Sequence, residues 1–283
     1  MIAFNIKKIK IQFHLTFFIF MFIMIALNYT EQFFILFLSV SLHELTHIIT
    51  AYVFGAETEK IVITPIGEIA LIKDLEYLSC GKKIIIMLAG PFINLILYAA
   101  VRLIFPVSFT DFKLYNLCLC FFNLIPAYPL DGGKILSYFL SNRIGIIPSN
   151  KVIFKTGKIF SGIVIITGFS QVILFPYNVS LLLIGLYMRK SIKKEYLEMT
   201  VAFYNNIFKF SKKTKIKKTL PVRHLMIDNE TEIKLLLNKV CWDCYYIFQI
   251  SGEGCTENII TENMLIKYVS EKGFYGKARD IAL

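Results

Sequence analysis

Charge is scarce in this chain, and acidic charge scarcest. Only 18% of its 283 residues are charged, with 20 Asp and Glu against 31 Lys and Arg. It has one tryptophan, four histidines, and six cysteines whose spacing shows no disulfide framework. Cys241-x-x-Cys244 has no second pair, so a zinc knuckle is disfavoured and reduced thiols are expected. No small-residue cleavage site follows the first apolar run, Ile11 to Leu27, so that run reads as a retained span and not a signal peptide. What fills the space is apolar: 56% hydrophobic residues, 26 of them Phe, and a mean hydropathy of +0.61. A soluble domain has no interior large enough for that much apolar surface, and an integral membrane protein is expected.

The net charge of +11 is placed as a membrane protein places it. Connections at 28–32 and 176–177 hold no Lys or Arg, nor does the one at 106–111. The opposite side collects Lys7, Lys8, Lys10, Lys60, Lys73, Lys82, Lys83, Lys134, Arg143, Lys151, Lys155, Lys158 and the basic tail. By the positive-inside rule that side is cytosolic, and an even number of spans leaves both termini there. The pattern argues against a nucleic-acid partner.

Apolar segments near 11–27, 33–54, 84–105, 112–126, 159–175 and 178–189 predict a mainly α, polytopic bundle of six spans. Two β-branched runs, Ile61-Val62-Ile63-Thr64 and Ile69-Ala70-Leu71-Ile72, flank Pro65-Ile66-Gly67 and predict a re-entrant β-hairpin over 57–73. It reads either as a cap or as an exposed edge able to pair with an extended substrate. Residues 191–219 read as a basic amphipathic linker. Residues 220–283 read as a small cytosolic α/β domain: helix near 231–240, strand Tyr245–Ile250, turn at 251–254, strand 258–260, helix 262–271.

Chemistry concentrates in His43-Glu44-Leu45-Thr46-His47, inside the second apolar segment. Histidines at i and i+4 share one helix face with a glutamate between them, a spacing that suits two zinc ligands and a general base. Ionisable groups in a span are costly unless they do something. A catalytic zinc needs a third protein ligand. His14 and His224 are available by type alone. Asp131 stands between the breakers Pro126, Pro129, Gly132 and Gly133, where it could equally be a metal ligand or a helix N-cap. A metal-transporting or metal-binding membrane protein without proteolysis is the alternative, and it has no use for Glu44 as a base.

The His43–His47 motif, the stretch Asn123-Leu124-Ile125-Pro126-Ala127-Tyr128-Pro129-Leu130-Asp131-Gly132-Gly133, and Gly90-Pro91-Phe92-Ile93-Asn94 together resemble the site-2 protease (M50) family of intramembrane zinc metalloproteases. The matching core covers roughly 33–142, within a membrane domain of 1–190. This resemblance implies His43, His47 and Asp131 as Zn2+ ligands and Glu44 as general base. It implies Asn123 as a donor to substrate backbone or oxyanion, and the hairpin, with Ile61, Ile63, Pro65 and Gly67, as the substrate-pairing edge. Val222-Arg223-His224-Leu225-Met226 and Ile259–Leu265 resemble a single CBS domain, a module associated with nucleotide sensing, which makes ATP a candidate ligand and self-association expected. Six spans plus one such domain is similar to the sporulation branch of the family. That implies a membrane-tethered sigma-factor precursor as substrate, membrane inhibitor proteins as further partners, and the mother-cell membrane as location.

Overall fold

The computed structural model describes residues 2–6, 9–64, 67–72, 75, 78–175, 178–210, 219–241, 243–251 and 259–282. Pro65, the 176–177 connection, the turn at 252–254 and the linker lysines from 212 to 218 lie outside the described residues. The chain divides into two compact units, Met1–Ile125 with Leu130–Ile135, and Pro126–Pro129 with Leu136–Leu283.

The first unit begins with strands β1 (Ile2–Ile6) and β2 (Ile9–Phe13) and a short apolar helix α1 (Leu15–Ala26). The first apolar run therefore opens as strand, and only its second part is helix. His14 caps α1, its Nδ1 accepting from the Thr16 backbone N–H. Helix α2 (Thr30–Val53) follows and carries the histidine motif. It ends in a Schellman motif: Gly55 N–H donates to Tyr52 O and Ala56 N–H to Ala51 O, with Gly55 at φ +87°. That left-handed residue turns the chain sharply into β3 (Thr58–Thr64), which pairs antiparallel with β4 (Gly67–Ile72). Helices α3 (Cys80–Ile104) and α4 (Thr110–Asn123) complete the unit with the start of α5 (Asp131–Ile144). Phe17, Phe33 and Ile63 form a small core that joins α1, α2 and β3, with the Phe37 ring tilted against Phe17 at 5.3 Å between centroids.

The expected hairpin is present, but inside a larger sheet of order β1-β2-β3-β4. β2 lies parallel to β3, with Ile11 opposite Ile61 and Phe13 opposite Ile63. The reading of Ile61 and Ile63 as part of a free edge is thereby corrected: β3 is an interior strand whose backbone groups are taken up on both sides. Gly67 opens β4 opposite Thr64. β4 has no further strand on its outer side among the described residues, and it packs along α2.

The second unit is built on α6 (Ile146–Leu174) and α7 (Ser180–Phe210), the most extensive helix pair in the protein. α6 starts well before the predicted span, and α7 runs through about two thirds of the expected linker, to Phe210. The C-terminal strands β5 (Val222–Asp228), β6 (Tyr245–Ser251) and β7 (Ile259–Thr261) form a sheet with β5 parallel and β7 antiparallel to β6. Helices α8 (Ile233–Lys239), α9 (Glu262–Lys272) and α10 (Arg279–Ala282) accompany it. Phe248, Ile260, Leu265 and Ile233 fill its core, which is continuous with Ile147 of α6 and Phe203 of α7. Cys241 and Cys244 are buried in the same core in the reduced form. Burial, reinforced by Cys241, pushes the Cys244 thiol up to about 11, so it stays protonated and packs as a small apolar residue.

α2, α3 and α6 are each long and apolar enough to cross a membrane. Their outward faces carry many exposed aliphatic side chains, with Leu103 81% and Ile166 71% exposed, as suits contact with lipid. α1, α4 and α5 are shorter, at 12, 14 and 14 residues.

Where α6 meets α7, a Cβ on Gly168 would lie 2.6 Å from Leu182 N. Nearby Gly162 has nothing within 4 Å of its Cβ position. Gly168→Val is expected to lower the thermal unfolding midpoint in detergent, with a cost of about 1–3 kcal/mol. Gly162→Ala is expected to leave the midpoint unchanged or raise it.

Candidate metal centre

Three side chains meet at one point between α2 and the start of α5. His43 Nε2 lies 3.0 Å and His47 Nε2 3.1 Å from Asp131 Oδ2, and the two Nε2 atoms are 3.1 Å apart. All three residues are buried. Glu44 sits beside them, half-buried, with one ligand atom of each of His43, Glu44 and His47 within 4.8 Å of the others.

Each member is placed for a local reason. The α2 hydroxyls fold back on their own helix: Ser39 Oγ donates to Ile35 O, Thr46 to Leu42 O and Thr50 to Thr46 O. Their polarity is thus satisfied internally in an apolar helix. Ser39 Oγ also accepts from Asn116 Nδ2 at 3.0 Å, which ties α2 to α4 one turn before His43. α4 stops at Asn123, shortly before Pro126. The first turn of α5 then sits directly against the carbonyls that end α4, since a Cβ on Gly132 would lie 2.2 Å from Leu124 O. That approach fixes Asp131 at the head of α5, where Oδ2 faces the histidines and Oδ1 faces Lys134 Nζ at 3.5 Å.

α3 forms the remaining wall. His47 Nδ1 donates to Ile86 O at 2.6 Å, and the Asn94 amide meets His43 Nδ1 at 3.0 Å. Between those two residues, a Cβ on Gly90 would lie 2.3 Å from His47 Nε2 and 2.6 Å from His43 Nε2. Pro91 follows in the helix interior and offers no N–H to Met87 O, which removes one rung of the ladder at that turn.

The donor set fits a zinc ion. Tetrahedral zinc holds nitrogen and oxygen ligands at about 2.0–2.2 Å, which puts ligand atoms ~3.3 Å from one another. The triangle at 3.0–3.1 Å is close to that size. Both histidines have an oxygen or amide partner on Nδ1, which leaves Nε2 facing inward, the usual arrangement of zinc-binding imidazoles.

Of the residues singled out from the sequence, His43, Glu44, His47 and Asp131 are brought together, 84 to 88 positions apart for the Asp131 contacts. His14 and His224 are elsewhere, the first capping α1 and the second exposed on β5. Asn123 donates its Nδ2 to Leu119 O at 3.1 Å, within its own helix. Gly90 and Asn94 belong to the Gly90–Asn94 motif, which carried no assigned role, and Ile86 O and Asn116 had no signal: a backbone carbonyl and an amide one helix away leave little trace in a pattern.

A His-Glu-x-x-His helix of membrane length, completed by an aspartate from a second helix, defines the class of membrane proteins with a zinc-peptidase type of site. The sequence pattern of Peptidase family M50 matches residues 32–110 and 101–168. The chain is similar to a zinc metalloprotease of Methanocaldococcus jannaschii, with 33% identity over 65% of this chain, and it spans 57% of that relative's length. Stage IV sporulation protein FB of Bacillus subtilis is 24% identical over 80% of this chain and 76% of its own. The solved site-2 protease from Methanocaldococcus jannaschii superposes with a TM-score of 0.57 at 31% identity, over 69% of this chain and 94% of that one. The chain belongs to peptidase family M50, the site-2 proteases.

Because any side chain at position 90 would enter the triangle, Gly90→Ala is expected to weaken zinc binding by at least about tenfold, the cost of disturbing the support of a ligand. Chelator competition on the detergent-purified protein measures this. Circular dichroism should show the helices retained.

Proposed function

We propose that the protein is a zinc-dependent endopeptidase that hydrolyses a peptide bond in a membrane-tethered protein. The observation that carries this reading is the His43–His47–Asp131 triangle, with Glu44 beside it, on a helix long enough to cross a bilayer. His43, His47 and Asp131 are the zinc ligands. Zinc held by these residues would supply a Lewis acid for the peptide carbonyl and would acidify water at the site toward a pKa of ~7.

The chain's own groups do the rest. Glu44 takes a proton from the attacking water and returns it to the leaving amine. Asp131 adds a negative charge that offsets the dication, and Lys134 steadies its second oxygen. Asn123 gives up its internal bond to Leu119 O to donate to a substrate carbonyl, a neutral exchange of one amide acceptor for another. Cleavage requires an unwound segment, because a helix keeps its carbonyls in hydrogen bonds. The outer edge of β4, beside α2, is the partner for that segment, in place of β3.

The finer assignment is a member of the sporulation branch acting on a sigma-factor precursor in the mother-cell membrane. The similarity to the Bacillus subtilis sporulation protein supports it, as does the α/β arrangement of β5–β7 with α8 and α9 at the expected CBS-like positions. We further propose a six-span topology with both termini cytosolic, and self-association through the C-terminal domain with ATP as its ligand. The distribution of basic residues and the motif stretches of that domain support these readings.

Co-expression with the membrane-tethered sigma-factor precursor of the same organism tests the proposal. Processed product is expected with the wild type and not with Glu44→Gln, whose rate should fall by about 10²–10⁴ or more with zinc retained. Full cellular function in Glu44→Gln would sink the protease reading and leave metal handling. Product from another membrane protein but not from the precursor would sink only the sporulation branch.

A further inference from the structure

Residues 86, 90 and 94 of α3 recur every four positions and so lie on one face of that helix, the face turned to the two histidines. Two of the three touch imidazole nitrogens on the side away from Asp131. Ile86 O can only accept, so His47 carries its proton on Nδ1 and directs the Nε2 lone pair inward. His43 has the same inward geometry, with Nε2 3.0 Å from Asp131 Oδ2, but its Nδ1 meets an amide that can face it with either end.

The inward lone pair decides which end. A neutral imidazole has one N–H, and with Nε2 bare the proton is on Nδ1 and needs an acceptor. Asn94 is completely buried, and with its nitrogen toward His43 its Oδ1 has no partner. Turning the amide leaves the number of unpartnered amide atoms unchanged and gives His43 the acceptor it requires.

Resting on the zinc reading above, we propose that Asn94 is a positioning residue whose amide oxygen accepts from His43 Nδ1–H and holds that histidine as an Nε2 ligand. α3 thereby does for both histidines what a carboxylate or carbonyl partner commonly does for one. Ile86 does it through its backbone, so only Asn94 can be altered by substitution of the side chain that makes the contact.

Zinc affinity of the full chain in detergent micelles is measured by chelator competition for wild type, Asn94→Ala and Asn94→Asp. Asn94→Ala should bind about 10- to 100-fold more weakly. Asn94→Asp, which keeps an acceptor and no donor, should recover most of the affinity. An Asn94→Ala protein that binds like wild type overturns the proposal. So does Asn94→Asp as weak as Asn94→Ala, which would mean that the amide donates. With four histidines in the chain, 15N spectra of the zinc-loaded wild type give the tautomers directly, whatever the variants do in folding. Both site histidines should be protonated at Nδ1, and a metal-bound Nδ1 on His43 rules the proposal out. Wild type that takes up no zinc would instead remove the metal reading itself.

Discussion

Two imidazole nitrogens and a carboxylate oxygen 3.0–3.1 Å from one another need a proton or a cation among them. A single proton serves one edge of such a triangle and leaves the other two repulsive. A dication serves all three at once. This constraint explains why the surroundings are organised as they are. Each imidazole is held from behind by α3, the carboxylate is held by the first turn of α5, and α2 is braced to α4 through Ser39 and Asn116. The charges also suit the setting: two carboxylates, Glu44 and Asp131, against a dication, in a part of the chain where unbalanced charge is expensive.

Much of this centre was legible in the sequence because its signals are local. His43 and His47 at i and i+4, with Glu44 between, specify a helix face and a chemistry from five residues. Asp131 was equally open to an N-cap reading, and the structure shows why both had merit: it begins a helix and also turns a carboxylate oxygen to the histidines. The order α8-β6-β7-α9 followed from periodicity and turn residues, and it is present, whereas β5 was not foreseen as a strand.

The parts that were not legible depend on partners distant in the chain. Nothing in Ile2–Phe13 announces that it folds as a hairpin alongside β3, since Ile11 and Phe13 suit an apolar helix as well as a strand. That pairing changes which strand of the sheet has a free edge. Helix lengths were misjudged where polar residues continue an apolar run. α7 keeps its geometry through Lys190, Lys193 and Lys194, good helix formers, so the change in composition marks no break in structure. Asn123 sits in the expected motif, yet its amide is bonded to its own helix, a matter of side-chain rotamer that no motif encodes.

The centre is defined as much by what two positions withhold as by what the ligands supply. At 90 the withheld atom would meet imidazole nitrogens, and at 132 it would meet the carbonyls ending α4. Every other amino acid brings at least a Cβ, so these two sites admit no conservative exchange, whereas a ligand can in principle be traded for another donor of similar reach. The histidines and the aspartate thus name the chemistry, and the two glycines set how little room sequence drift has around it.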